Sequence, residues 1–169
     1  MAAVESHRSY APRRLGFAVI TVSDSRSPAD DTSGDRIEAL ASAAGHRVIA
    51  RRIVPDDIEA IRGAVDTVVG RAEIDVVVLS GGTGFSPGDV TLEALEPLFE
   101  RSIDGFGELF RMLSFRQVQA AAMLSRAAAG LIGERAIFAL PGSPKAVELA
   151  MEELILPEVG HLLGQVRRR

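Results

Sequence analysis

Apolar and polar positions alternate along the chain in two rhythms. Leu15 to Val22 is a short, nearly unbroken apolar run rich in Val, Ile and Thr, ended by Ser23-Asp24-Ser25. A run of that length and composition predicts a buried strand followed by a loop. The polar stretch continues through Asp31, where Thr32 or Ser33 caps a helix that reaches about Ala44 and stops at Gly45. Val48 to Val54 reads as a second strand closed by Pro55. Beyond it Ile58, Ile61, Val65, Val68 and Val69 recur at helical spacing, with Asp56 or Asp57 as the cap. Ile74 to Leu79 carries three consecutive valines and predicts a strand covered on both faces.

Thr91 to Phe99 repeats the helical spacing, and the Ala- and Leu-rich stretch from Phe106 to Ala129 predicts two helices divided around Ser114 to Arg116. Ala136 to Leu140 is the last buried strand. Pro141 and Gly142 then turn the chain, Ser143 caps, Pro144 takes the first helical position, and Val147, Ala150, Met151 and Leu154 form an apolar stripe. Strands alternating with helices predict an α/β fold, a three-layer α/β/α arrangement with a mainly parallel, Rossmann-like sheet. Ligands of such sheets gather at the carboxyl ends of the strands. Without a repeat or a linker, one domain is expected over residues 15–166, preceded by a flexible arm of residues 1–14.

Composition narrows the chemistry. No apolar run approaches the roughly 18 residues of a membrane span, so a soluble protein is expected. A net charge of -4 argues against nucleic acid as a partner. Arg8, Arg13 and Arg14, and Arg167 to Arg169, read as solvated tails. There is no Cys, which removes disulfides, thiolate zinc and Cys nucleophiles, and His7, His46 and His161 are too scattered for a metal motif. The N-terminus has no secretory h-region, and a cytoplasmic location follows as the expectation.

Ser80-Gly81-Gly82-Thr83-Gly84 comes directly after the valine strand. It is not a P-loop, because Phe85 follows Gly84 and the segment has no lysine; nor is it a dinucleotide fingerprint, because Pro87 stands where the third glycine belongs. Glycines allow close backbone approach, and successive N–H groups in such a turn make a concave anion site, so the loop reads as a phosphate nest, with a plain tight turn as the alternative. Phosphates beside Asp89 require a cation. Magnesium suits this, since it takes one or two carboxylates together with phosphate oxygens and water. Asp56 or Asp57 and Asp89 are the candidate carboxylates, and each is equally a candidate helix cap. Ser23, Asp24 and Ser25, with Asp30 to Ser33, form a third polar loop on the same edge, and Leu140-Pro141-Gly142-Ser143 a fourth. Lys145 is either a surface charge or a phosphate ligand; Arg111, Arg116 and Arg126 read as solvated or interface residues, and Glu108 stays open between the two.

Taken together, TVSDSRS, DDTSGDRI, GHRV, IVPDD, LSGGTGFSPGDVTLEA, GFGELFRMLSF, SRAAAG and ALPGSPKA resemble the MoaB/Mog family of molybdenum cofactor biosynthesis proteins, and GFGELFRMLSF resembles its MoaB branch. The resemblance implies a homotrimer or homohexamer that binds molybdopterin and Mg-ATP and transfers AMP to the pterin's terminal phosphate with loss of pyrophosphate. By motif matching it implies Asp56 and Asp89 as the essential carboxylates for magnesium and nucleotide. Ser80, Gly81, Gly82, Thr83 and Gly84 would line the nucleotide site, with Asp24, Pro141, Gly142 and Ser143 around it. Gly88 and Leu92 depart from the Arg and Pro of many relatives. The missing cation motivates an alternative, a molybdopterin-binding oligomer without turnover; a third reading is hydrolysis of a nucleotide pyrophosphate.

Overall fold

In the computed structural model, which describes residues 14–168, six strands join in one sheet. They are β1 (Gly16–Val22), β2 (Arg47–Val54), β3 (Val76–Ser80), β4 (Arg101–Ser102), β5 (Ala128–Ile132) and β6 (Arg135–Leu140), in the order β2-β1-β3-β6-β5-β4. β2, β1, β3 and β6 run parallel, while β5 and β4 are antiparallel. Residues 1–13 and Arg169 fall outside the described range, and with them all of the expected N-terminal arm except exposed Arg14.

The central strands are apolar in unbroken runs because both of their faces are covered. Phe17, Val19, Val76, Val78, Phe138 and Leu140 pack on one face against helices α1 (Thr32–Ala43), α4 (Asp104–Val118), α5 (Pro144–Ala150) and α6 (Leu156–Val166). Ala18, Ile20, Val77, Leu79, Ile137 and Ala139 pack on the other against α2 (Ile58–Val69) and α3 (Thr91–Leu95). Each fully buried Val, Leu, Ile or Phe contributes about 1.5–3 kcal/mol, so this double burial dominates the stability of the sheet. The result is the expected three-layer, mainly parallel α/β fold. No helix among the described residues is long and apolar enough to cross a membrane.

Several local expectations are corrected. Asp31, not Thr32 or Ser33, caps α1: its carboxylate accepts from the Gly34 amide at 3.0 Å and from the Thr21 hydroxyl at 2.9 Å. Arg51 of β2 donates to the same carboxylate at 2.9 Å, and to Asp35 at 2.7 Å and Glu38 at 2.8 Å. A buried carboxylate with several donors outcompetes the hydroxyls beside it. Thr91 to Phe99 is helical only through Leu95, and a 3₁₀ turn, Glu96–Leu98, follows around Pro97. The division expected near Ser114 to Arg116 does not occur. α4 runs unbroken to Val118, and a 3₁₀ segment, Gln119–Leu124, comes after it.

The Ala-rich stretch ends in a strand rather than a helix. β5 is pulled into the sheet by pairing with β6, and Gly130 gives the Phe99 ring room, since a Cβ there would stand 2.3 Å from it. Tertiary pairing has overridden alanine's helical propensity. At the other end of the chain, Met151–Ile155 forms a π turn between α5 and α6. Pro157 lacks an N–H, so the helix cannot continue there with regular i to i−4 bonding. Arg167, expected in a solvated tail, is instead tied down: it donates to Asp75 Oδ1 at 2.5 Å, while Asp75 Oδ2 accepts from the Gly16 amide at 2.7 Å.

Candidate functional site

The parallel strands end in step. Thr21, Ser80 and Leu140 are register partners across β1, β3 and β6, and the Ser23 amide donates to Val54 of β2 at 2.9 Å. Four loops therefore leave one edge together: Ser23 to Asp31, Pro55 to Asp57, the glycine loop after Ser80, and Pro141 to Ser143. The first and last are stitched to each other by the buried Ser33 hydroxyl, which donates to the Gly142 carbonyl at 2.7 Å. Gly142 in turn lies on Gly81, where a Cβ would meet the Gly81 Cα at 3.3 Å.

Each glycine of the loop is required by something different. Gly81 has φ of 105° and Gly82 of 61°, both in the left-handed region. A Cβ on Gly81 would fall 2.2 Å from the Val22 carbonyl; one on Gly82 would fall 2.4 Å from the Thr91 hydroxyl and 2.8 Å from Asp56 Oδ1; one on Gly84 would fall 2.7 Å from Asp89 Oδ2. The two predicted aspartates thus lie against alternate glycines of the same turn. Thr91 closes the loop by donating its hydroxyl to the Gly81 carbonyl and its amide to the Gly82 carbonyl, each at 2.9 Å. Among the described residues, no acceptor pairs with the amides of Gly82, Thr83 or Gly84.

Asp57 resolves the ambiguity between its neighbours. Its carboxylate caps α2 by accepting from the Ala60 amide at 2.8 Å, which leaves the Asp56 carboxylate without a capping role. The Asp56 amide is held by Asp24 Oδ1 at 3.1 Å. Burial, and then the nearby charges of Asp24 and Asp89, raise the Asp56 pKa above the ordinary carboxylate range. Asp89 accepts from the Ser86 amide at 2.9 Å and does not cap α3, whose N-terminus has no side-chain cap. Ser80 is buried, and its hydroxyl has no hydrogen-bond partner among the described residues. No group of three or more His, Asp or Glu side chains among them is arranged to hold a metal by itself. The donor set suits a cation that brings other ligands with it.

A cavity of about 440 Å³ opens over the loop, lined by Gly81 to Gly84, Asp89, Ser125, Pro141 and Gly142 together with Ala121 and Leu124. A second, of about 630 Å³, shares Ala121, Ser125 and Pro141 with it and extends past Ser143 and Lys145 towards Glu148. Both volumes fall within the range of small-molecule sites. Lys145 is exposed on that second cavity and does not line the one over the glycine loop. Glu108 and Arg111 line a separate cleft with Glu96 and Asp104.

Arg126 corrects the sequence reading most. Expected as a solvated or interface residue, it reaches behind the glycine loop from the segment before β5. Its Nε donates to the Thr83 carbonyl at 3.3 Å, its Nη2 to the Asp89 carbonyl at 2.8 Å, and its Nη1 to Glu93 Oε1 at 2.5 Å. The Phe85 ring covers the guanidinium at 5.3 Å. Its hydrogen bond with Glu93 raises the Arg126 pKa and lowers that of Glu93. No local sequence signal points to this role, because Arg126 lies 43 residues from Thr83 and meets it only through the sheet order.

Residues 18–161 match the family model described as a probable molybdopterin binding domain. The molybdenum cofactor biosynthesis protein B of Bacillus cereus is 44% identical over 167 residues, 98% of this chain and 99% of that protein. Its namesake in Escherichia coli K12 is 43% identical over 150 residues, 89% of this chain and 87% of that one. Among solved structures, a molybdenum cofactor biosynthesis protein B superposes with a TM-score of 0.91 at 44% identity, covering 94% of this chain and 99% of the other. The tungsten cofactor synthesizing protein MoaB from Pyrococcus furiosus does so with a TM-score of 0.84 at 38% identity, covering 94% and 100%.

Proposed function

This chain belongs to the MoaB branch of the MoaB/Mog family of molybdenum cofactor biosynthesis proteins, and from that premise we propose that it adenylylates molybdopterin. The terminal phosphate of molybdopterin attacks the α-phosphorus of ATP. A new P–O bond forms there as the bond to the β-phosphate breaks, and pyrophosphate leaves with its electron pair. The attacking phosphate is already ionised, so no side-chain nucleophile is needed. Catalysis then rests on positioning and on stabilising charge.

The observation that carries this reading is the placement of Asp56 and Asp89 against Gly82 and Gly84 in a loop with unpaired amides. The amides suit phosphate oxygens, and the carboxylates suit a shared cation. Asp56 and Asp89 are the residues that would hold magnesium, which when bound neutralises phosphate oxygens that would otherwise repel both carboxylates. Asp24 supports Asp56 through its amide. Ser80 to Gly84 and Pro141 to Ser143 frame the nucleotide. We further propose that the protein works in the cytoplasm as a homotrimer or homohexamer. Leu109, Met112, Phe115, Val118, Met123 and Leu124 are exposed along α4 and the turn after it, which favours self-association.

Purified protein incubated with molybdopterin and Mg-ATP should release pyrophosphate and form the pterin adenylate. Asp56→Ala and Asp89→Ala should each lower the rate about a hundredfold or more. Near-wild-type rates in both variants would overturn the assignment. A second reading, a pterin-binding oligomer without turnover, is favoured by Gly88, where a side chain would meet open space and no cation stands. Pterin binding without pyrophosphate release distinguishes it.

A further inference from the structure

The segment from Thr83 to Asp89 leaves the end of the sheet and comes back to it. Within it, Phe85, Ser86, Pro87 and Gly88 are exposed. Two short bonds shape its turn, from the Ser86 amide to Asp89 Oδ2 and from the Asp89 amide to the Ser86 carbonyl, both at 2.9 Å. Neither bond fastens the excursion to the body of the protein. One guanidinium does, at both ends: Arg126 takes the Thr83 carbonyl where the excursion leaves and the Asp89 carbonyl where it returns.

The donor count decides what Arg126 can do. A guanidinium has five N–H groups. Nε–H goes to Thr83, one Nη1–H to Glu93 Oε1, and the Nη2 pair to the Asp89 carbonyl and, at 3.3 Å, to Glu93 Oε2. Four of the five are therefore committed within the protein. Phe85 covers the flat face of the guanidinium, and Glu93 offsets its charge. A group held this way is a poor partner for a mobile phosphate and a good fixed point for a backbone. The residue also stands two positions before β5, with Ala127 buried between it and Ala128, so its own position is set by packing.

We infer that Arg126 is a positioning residue for the excursion that follows the glycine loop, a fork that holds both of its ends, Thr83 and Asp89, so that the Asp89 carboxylate stays against Gly84, while Thr91 closes the loop itself at Gly81 and Gly82. Resting on the proposed use of Asp89 toward magnesium and nucleotide, this gives Arg126 a part in the reaction without contact with the substrate. The fork geometry matters more than the charge. Lysine at 126 would keep the cation beside Glu93, but a single ammonium cannot span two carbonyls and a carboxylate in one plane.

Three full-length proteins test the inference: wild type, Arg126→Lys and Arg126→Ala. Hydrogen exchange of the ligand-free proteins should show the amides of Ser86 and Asp89, the hydrogen-bonded ones of the excursion, losing protection in both variants, while the amides of β1, β3 and β6 keep theirs. Titration with Mn²⁺ in the presence of ATP, read by water-proton relaxation, should show about tenfold or greater weakening in both, on the scale that misplacement of a reacting group produces. If the family reaction is present, kcat should fall in the same proportion in both variants. Arg126→Lys matching wild type in exchange and Mn²⁺ titration would overturn the inference by reducing Arg126 to a charge. Protection lost throughout the sheet would overturn it by making Arg126 a general structural residue. Failure of wild type to adenylate molybdopterin would sink the proposed function alone, because hydrogen exchange reads the fork without any substrate.

Discussion

Asp31, Asp35 and Glu38 surround the guanidinium of Arg51, whereas Asp24, Asp56 and Asp89 sit near one another with no cation bonded to any of their carboxylates among the described residues. The first group lies between β2 and α1, the second beyond the carboxyl ends of β1, β2 and β3. In the first, burial alone would depress the Arg51 pKa, but the hydrogen bonds that Arg51 donates to Asp35, Glu38 and Asp31 lift it above its ordinary range. In the second, burial and like charge push Asp56 up. An acidic group neutralised within the protein is spent on holding the fold together. One left unneutralised is costly to the empty protein, and a cation arriving with a ligand relieves that cost.

Removing Asp31 is the harshest way to break the contrast. Asp31→Ala leaves the Thr21 hydroxyl, the Gly34 amide and one edge of Arg51 without their partner in a buried setting. A loss of about 3 kcal/mol is expected, read as a fall of roughly 6–12 °C in thermal midpoint, because one member of a buried charge network has gone. The site carboxylate should behave in the opposite sense. Asp56→Asn is expected to raise the midpoint of the ligand-free protein by about 1–3 °C even as turnover is lost.

The sign follows from linkage. The folded chain holds the Asp56 proton to higher pH than the unfolded chain does, so the stability this group contributes is present in acid and is lost as pH rises through its raised pKa. The gap between Asp56→Asn and wild type should therefore be widest near neutral pH and close below about pH 4. The smallest effect belongs to Asp35, whose exposed carboxylate only shares Arg51 with two others. Asp35→Asn should change stability by less than about 0.5 kcal/mol in urea unfolding, as exposed ion pairs commonly do.

The same physics governs what could be read in advance. β1, β3 and β6 were legible because a parallel strand buried on both faces must be apolar throughout, and few other environments in a folded domain tolerate so short and unbroken a run. The glycine loop and Asp89 were legible from their position directly after one of those runs. β5 was not, since Ala128-Ala129-Gly130 has no strand signature until β6 and the Phe99 ring are beside it. Asp31 stands directly before the two expected caps, Thr32 and Ser33, and the Thr21 hydroxyl lying 10 residues earlier is what selects it. Arg126 was the hardest: its partners at Thr83, Asp89 and Glu93 all belong to another part of the chain. Long-range polar contacts leave no periodicity in the sequence that makes them.

The π turn at Met151–Ile155 has a consequence for how this chain can change length. A π turn accommodates one residue more than the α-helical path would, in the manner of a single insertion absorbed without breaking the helix. Deleting one residue there would restore ordinary helical winding and leave everything downstream close to its present facing. Val159 and Leu163 would keep facing the sheet, and Arg167 would stay within reach of Asp75. Single-residue deletions should be tolerated here and rejected in the two-residue turn at Gly133 and Glu134, where losing one would break the pairing of Ile132 with Arg135, although both segments look equally plain in the sequence.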